Sequence, residues 1–510
     1  MKIVFRTDSS IYIGTGHIMR CLVLAQLLRE SGNDIQFCIR EQEGSLLELL
    51  ISKGFVVHKL IPPKVWKKPE NNSDYATWLQ VTEKEDASSF CCAIKDVDIV
   101  IVDHYGLNKI WEAQIKTVLN CHLVVIDDLL REHYCDLLLD QTLGREIKDY
   151  KSLLLQHTKI LTGCEFALLN PNFSKLRDES SNKIKEEVDK HKVLVTMGGI
   201  DNSNATLPII VQYGLNNFSL VTVVINPKSP YFDNVIEYIS NYKGHISQID
   251  FVDNMAKLMQ EHTISIGAPG ATSWERACLG LPSIVVPLAD NQNTVCHQLT
   301  KYGAAIKVEL SELPLAFNKA FTELMVKYEQ YRNNCFKLCD GLGVYRVEAE
   351  INMLTAGRTL FSNCRKANLQ DTGVVFKWQS SPETRRFALN NKLPSLKEHT
   401  LWMRNKVASN FDFFYIIQVT TESSDIVPAG VIRLDRLDTS AFLLSVFIAP
   451  EYYGRGIAKS ALAYIDMIHR DIVINATVLS ENIASQKLFR RAGYIQLTDE
   501  DFQRPVIGKK

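Results

Sequence analysis

Three places in this 510-residue sequence join a short apolar run to a glycine turn and then to a helix-forming segment. Such a turn leaves backbone N–H groups free to approach an anion, and the helix that follows adds the positive end of its dipole. The first place runs from Ile3–Arg6 through Thr7-Asp8-Ser9-Ser10 to Gly14-Thr15-Gly16 and His17. Met19 stands where a dinucleotide fingerprint needs its third glycine, so that motif is a poor match. A histidine at this point either caps a helix or takes a proton from water near neutral pH. Its position inside the glycine turn favours the second role.

The second place is double. Met197-Gly198-Gly199-Ile200-Asp201 follows one apolar run, and Gly267-Ala268-Pro269-Gly270-Ala271-Thr272-Ser273-Trp274-Glu275 follows another. Thr272 and Ser273 could hold a pyrophosphate at a helix start, and Glu275, one turn in, could accept hydrogen bonds from both ribose hydroxyls. A plain strand-to-helix turn accounts for either loop alone, but less readily for both. The third place leads from Ser445-Val446-Phe447-Ile448 into Tyr453-Gly454-Arg455-Gly456-Ile457-Ala458 and an apolar-periodic helix, a cradle that holds pyrophosphate without a lysine. Asp96-Val97-Asp98 invites a metal reading, but it precedes the run Ile99–Val102 rather than following it, so no metal is expected. Asp103-His104-Tyr105 and Asp127-Asp128 do follow strands, where they suit sugar contacts or the holding of loops.

The elements that position these residues follow from periodicity. Strands are expected at Ile3–Arg6, Ile35–Ile39, Val56–Leu60, Ile99–Val102 and Leu123–Ile126, and again at Val193–Met197, Leu220–Ile225, Thr263–Ile266 and Ser283–Val286. Helices alternate with them. Ile18, Cys21, Leu22, Ala25 and Leu28 keep helical spacing up to Gly32. The pattern predicts two Rossmann-like α/β lobes, residues 1–173 and 193–356, joined by a charged connection over 174–192, with loops at the carboxyl ends of the strands lining a cleft. A polar linker at 357–370 then leads to an α+β domain over 371–510, with strands at Phe413–Val419, Ala429–Leu434 and Phe442–Ile448.

Composition narrows the function. Lys and Arg total 57 against 58 Asp and Glu, a net charge of −1, so the basic field of a nucleic-acid binder is absent. With 46% hydrophobic residues the chain can bury several cores, yet no run reaches the roughly 18 apolar residues of a membrane span. The 12 cysteines include no CxxC pair and suggest reduced thiols in the cytoplasm. Oligomeric state is not encoded in any of these features.

Two family resemblances follow from the motifs. Residues 1 to about 355 resemble the UDP-sugar hydrolases of pseudaminic acid biosynthesis, of the two-lobed GT-B architecture, through RTDSSIYIGTGHIMRCLVLA (6–25), IVDHYGL (101–107), VIDDL (125–129), GCEFALLNPNF (163–173), TMGGIDNSN (196–204) and APGATSWERACLGLPSIVV (268–286) with Asn291-Gln292. The resemblance implies hydrolysis of UDP-2,4-diacetamido-2,4,6-trideoxy-β-L-altropyranose to UDP and free sugar without a metal. It puts His17 at the catalytic histidine and Asn291 near the reacting centre. The expected sugar-nucleotide contacts are Asp8, Gly14, Gly16, Tyr105, Gly198, Gly199, Thr272, Ser273 and Glu275. Pro269 departs from the commoner glycine.

Residues from about 371 onward resemble the GNAT acetyltransferases, through Tyr453 to Ala458 and the Asn482 to Tyr494 segment. This implies acetyl-CoA as cosubstrate, held at Phe447, Ile448, Gly454, Arg455, Gly456, Ile457, Ala458 and Asn482. Tyr453 replaces the usual Gln or Arg, and Phe489 stands where many members carry a tyrosine acid, so the acid is unassigned. The two resemblances together imply acetylation of a 4-amino UDP-sugar followed by its hydrolysis. Transfer of the sugar to an acceptor, or a GNAT domain that only binds CoA, are the rival readings.

Overall fold

A computed structural model describes residues 1–507 except 72, 183–190, 199–200, 202, 214–218, 243–244, 290–291, 358, 391 and 424. Gly199 and Asn291, expected at the sugar-nucleotide site, therefore lie outside the described residues. The chain divides into two compact units, Met1–Glu348 and Ala349–Lys510.

The first unit holds two parallel sheets. Strands β1 (Lys2–Thr7), β2 (Asp34–Ile39), β3 (Val56–Lys59), β4 (Ile99–Asp103), β5 (His122–Ile126), β6 (Leu137–Asp140) and β7 (Lys159–Thr162) are ordered β3-β2-β1-β4-β5-β6-β7. Their central members are buried on both faces: Ile3, Val4, Phe5, Ile99, Val100 and Ile101 are all fully inaccessible. This explains their unbroken apolar character. The helix Gly16–Glu30 buries Ile18, Cys21, Leu22, Ala25 and Leu28 and stops before Gly32, whose φ of 89° only glycine adopts freely.

The second sheet comprises β8 (Lys192–Thr196), β9 (Leu220–Val224), β10 (Ile246–Ile249), β11 (Ile264–Gly267), β12 (Ser283–Val285) and β13 (Ala305–Lys307), ordered β10-β9-β8-β11-β12-β13. The two Rossmann-like lobes are thus present. Four edge-side strands, β6, β7, β10 and β13, were not expected from the sequence. Each is only three or four residues long, too short to display a period.

The charged segment 174–192 is more than a connection at its start. The helix Pro171–Ser181 buries Phe173, Arg177 and Ser180. Arg177 donates to the carbonyls of Cys278, Cys339 and Phe336 at 2.7–2.9 Å, which holds this helix against the second lobe.

The second unit is a mixed sheet, β14 (Phe361–Lys366), β15 (Phe413–Thr420), β16 (Ile426–Arg436), β17 (Ala441–Ile448), β18 (Val473–Thr477), β19 (Ile495–Gln496) and β20 (Asp501–Arg504), ordered β14-β15-β16-β17-β18-β20-β19. Residues 357–370, expected as a linker, contain β14. That strand pairs antiparallel with β15 and buries Phe361 and Cys364, while polar residues between them hide the alternation. Strands β17 and β18 run parallel but pair only over Ala441–Leu443 and Val473–Asn475. Beyond Leu443 the two strands part, and the β17 edge from Leu444 to Ile448 has no partner on that side among the described residues.

Candidate functional site

In the first lobe the register of the sheet builds the site. Thr7 at the end of β1 pairs with Asp103 at the end of β4, and the chain after β1 loops back so that His17 enters the first helical turn beside them. His17 Nδ1 lies 2.5 Å from Asp103 Oδ1. Arg20, one turn on, donates to both oxygens of the same carboxylate at 2.5 and 2.7 Å and passes 3.3 Å from His17 Nδ1.

Burial would raise the Asp103 carboxyl, but the Arg20 guanidinium and His17 outweigh it and hold the group well below the usual carboxylate range. Asp103 is therefore an anion that accepts, and the closer contact makes His17 Nδ1 the donor. This leaves the lone pair on Nε2, which has no hydrogen-bond partner among the described residues. The imidazole edge packs on Tyr105 at 4.5 Å and on Trp78 at 6.3 Å between ring centroids. Tyr105 in turn donates its hydroxyl to Asp128, which Arg20 also reaches, at 3.4 Å.

A second layer holds this group. Asp8 was expected to touch the sugar nucleotide, but it is fully buried, and its two oxygens meet Arg6 at 2.6 and 3.0 Å, the Arg40 backbone N–H at 2.8 Å and His104 Nε2 at 3.2 Å. These four contacts use up the acceptor capacity of a carboxylate, so Asp8 anchors the loop instead. Below Tyr105, Arg131 donates to the Tyr105 carbonyl at 2.5 Å and to Asp127. His133 lies between Glu112 (2.7 Å) and Asp127 (3.3 Å). Burial alone would depress its imidazole, but Asp127 and Glu112 raise it to about 9.

The second lobe supplies a different set. Gly198 is exposed with φ 98°, and space beyond its Cα is open. The helix Gly16–Glu30 begins without a side-chain cap, so its first-turn N–H groups remain available, whereas in the equally uncapped Thr272–Cys278 the Ser273 and Trp274 N–H groups already donate to the Gly270 and Ala271 carbonyls at 2.9 and 3.1 Å. Ser273, expected to hold a phosphate, is buried and accepts from Arg276 at 3.0 Å, so its hydroxyl faces inward. Thr272 stays part-exposed. Burial pushes the Glu275 carboxyl up to about 7, against the pull of Arg276, and no side chain among the described residues hydrogen-bonds to it. No described hydrogen bond or ring contact joins this set to the His17 group.

In the second unit the loop Gly454-Arg455-Gly456 is exposed at the start of the helix Ile457–Ile468. Gly456 takes the N-cap position at φ 76° with no side-chain cap, and a Cβ there would meet nothing within 4 Å. Ile457 turns its side chain into the core, so only its backbone faces the turn, beside part-buried Ala458. Phe447 and Ile448 lie on the stretch of β17 that has parted from β18. Asn482, expected at acetyl-CoA, uses its side-chain oxygen to cap the helix Ile483–Arg491 by accepting from Ser485 N–H at 3.1 Å. Phe489 is a core residue, stacked on Phe502 at 5.7 Å.

Residues 363–495 match the acetyltransferase (GNAT) domain family, and residues 187–337 match the glycosyltransferase family 28 C-terminal domain. An uncharacterized protein of Methanocaldococcus jannaschii is 24% identical over 97% of this chain and 96% of its own. The UDP-2,4-diacetamido-2,4,6-trideoxy-beta-L-altropyranose hydrolase of Campylobacter jejuni is 25% identical over 60% of this chain and 99% of its own. The chain is homologous to a UDP-sugar hydrolase and carries a GNAT domain. The structure of MurG from Acinetobacter baumannii shares the fold of the first unit, at a TM-score of 0.50 and 15% identity over 69% of this chain and 99% of that one. The GNAT domain implies acetyl-CoA as its cosubstrate, and the strand separation at Leu444–Ile448 leaves backbone groups able to pair with an extended ligand.

Asp103, Arg20 and Asp128 were not singled out as partners of His17. Their signal was topological: in a doubly wound sheet the residues ending adjacent strands meet at one edge, and Asp103 ends a strand next to β1.

Proposed function

We propose that the first unit hydrolyses a UDP-sugar and that the GNAT domain acetylates the 4-amino group of its precursor, the pair of steps serving pseudaminic acid biosynthesis in the cytoplasm. The carrying observation is the His17–Asp103 pair, with a lone pair left on Nε2 at the carboxyl edge of the sheet. Nε2 takes a proton from water, the water oxygen bonds to the anomeric carbon, and the bond from that carbon to the UDP oxygen breaks, its electron pair leaving with UDP. Asp103 stabilises the imidazolium that forms. UDP leaves readily without a general acid, and the uncapped helix starts near Gly14–Gly16 and Gly270–Thr272, with Gly198, supply N–H groups for its phosphates. Glu275 accepts from the ribose hydroxyls.

In the GNAT domain the amine attacks the acetyl carbonyl and CoA leaves as thiol, its pyrophosphate on Gly454–Ala458 and its pantetheine arm along Phe447 and Ile448. All 12 cysteines lie among the described residues and none forms a disulfide, and no described helix is long and apolar enough to cross a membrane.

The test supplies the chain with UDP-2,4-diacetamido-2,4,6-trideoxy-β-L-altropyranose and no acceptor: prompt UDP release supports hydrolysis. The match of residues 187–337 to a glycosyltransferase domain favours a second reading, sugar transfer to an acceptor. Under it, UDP appears only when an acceptor is added.

A further inference from the structure

The strands that part beyond Leu443 present different side chains on their two faces. Residues in register on neighbouring strands point to the same face, and successive residues along a strand point to opposite ones. Leu443 pairs with Asn475, Asn475 with Gln503 and Thr477 with Asp501. Ser445 and Phe447 on β17, Asn475 and Thr477 on β18, and Asp501 and Gln503 on β20 therefore share one face. All six are half-buried, whereas Leu444, Ala476 and Phe502 between them are buried.

The other face belongs to the helix that starts at the Gly454–Gly456 turn. Val446 points that way and so, through its register partner Ile432, does Tyr415, whose hydroxyl lies 2.9 Å from Nε2 of His469 at the end of the helix Ile457–Ile468. The gap between β17 and β18 thus leads from the side of the glycine turn to the side of Ser445 and Thr477.

Charge distinguishes the carboxylates on the Thr477 face. Asp435 is matched by Arg433 at 2.7 Å and by Lys406 at 2.6 Å. Asp501 has no cation within salt-bridge reach among the described residues. Its two oxygens accept from the hydroxyls of Thr477 and Thr498, each at 2.9 Å, and its N–H donates back to Thr498 Oγ1 at 2.9 Å, which fixes the carboxylate. Since Thr477 gives its hydroxyl proton to Asp501, the lone pairs of Thr477 Oγ1 are left to accept from a group in the gap.

We propose that Thr477 and Asp501 form a proton relay for the acetyl transfer, with Asp501 as its sink. The amine arrives as an ammonium, drawn by the unmatched carboxylate. It passes one proton to Thr477 Oγ1 as the hydroxyl's own proton passes to Asp501 Oδ1. The freed lone pair bonds to the acetyl carbon, the C–S bond breaks with its electron pair on sulfur, and the second proton of the nitrogen goes to that sulfur, giving an amide and CoA thiol. The proposal rests on the amine-acetylation reading of the GNAT domain.

The test uses the full chain with acetyl-CoA and two amines, the 4-amino UDP-sugar and free glucosamine, and reads acetylated product and CoA thiol. Thr477→Val keeps the shape and removes the hydroxyl, so kcat is expected to fall about 100-fold, the scale of a positioned base, with KM for acetyl-CoA within about two-fold of the wild type. Asp501→Asn should do the same, and Thr477→Ser should restore most of the rate. The double variant Thr477→Val, Asp501→Asn should be no slower than either single one, because members of one relay act as a unit. Losses that multiply in the double variant, losses confined to KM, or full turnover by Thr477→Val overturn the relay. Product from glucosamine alone, with the same dependence on both residues, refutes the UDP-sugar acceptor while supporting the relay. A chain that binds acetyl-CoA and acetylates neither amine overturns both.

Discussion

His17 Nδ1 and Asp103 Oδ1 stand 2.5 Å apart although 86 residues separate them in the chain. The contact exists because β1 and β4 are neighbours in the sheet while the chain after β1 doubles back into a helix. It orients the imidazole, and Arg20, bound to the same carboxylate, keeps Asp103 ionised.

Changing His17→Ala removes the proposed base and is expected to lower UDP release about 100-fold or more, with UDP affinity nearly kept. Steady-state kinetics with a parallel UDP titration check this.

Changing Asp103→Asn keeps the shape but lets the amide donate to Nδ1, which favours the tautomer with its proton on Nε2. A fall of at least about 100-fold in kcat is expected, with little change in KM. A loss confined to KM would assign Asp103 to substrate binding instead.

Glu275 carries a pH signature. With its carboxyl raised to about 7, and the carboxylate being the better acceptor for ribose hydroxyls, UDP affinity should increase as pH rises from 6 to 8. Glu275→Gln should flatten that dependence, and Glu275→Ala should weaken binding by about 1.5 to 3 kcal/mol above pH 7. Calorimetry at several pH values decides the matter.

His133 makes a statement about stability. Its imidazole titrates near 9 in the fold against roughly 6.5 in an unfolded chain. The stabilisation is therefore fully present below about pH 6.5 and is lost as pH rises through 9. The melting temperature should fall across that window in the wild type, and His133→Gln should be less stable at neutral pH and lose the slope.

The sequence displayed the central strands, the helix after β1 and the three glycine turns because each depends on local periodicity or on a backbone only glycine tolerates. Gly456 at φ 76° is an example. Short edge strands such as β13, and β14 with its polar residues, carry too little pattern to stand out. Side-chain direction was hidden too. Nothing local says that Ser273 turns inward to Arg276, that Asn482 spends its oxygen on a helix cap, or that Asp8 is enclosed by Arg6 and Arg40, because those partners are set by packing. The Asp103 partnership with His17 needed the strand order.

The most direct measurement of the central claim runs UDP-sugar cleavage in ¹⁸O-labelled water without any acceptor, using wild type and His17→Ala, and reads the products by mass spectrometry. Attack at the anomeric carbon by water activated at His17 requires one heavy oxygen in the sugar, none in UDP, and almost no product from the variant. Heavy oxygen in UDP, or equal turnover by the variant, would contradict it.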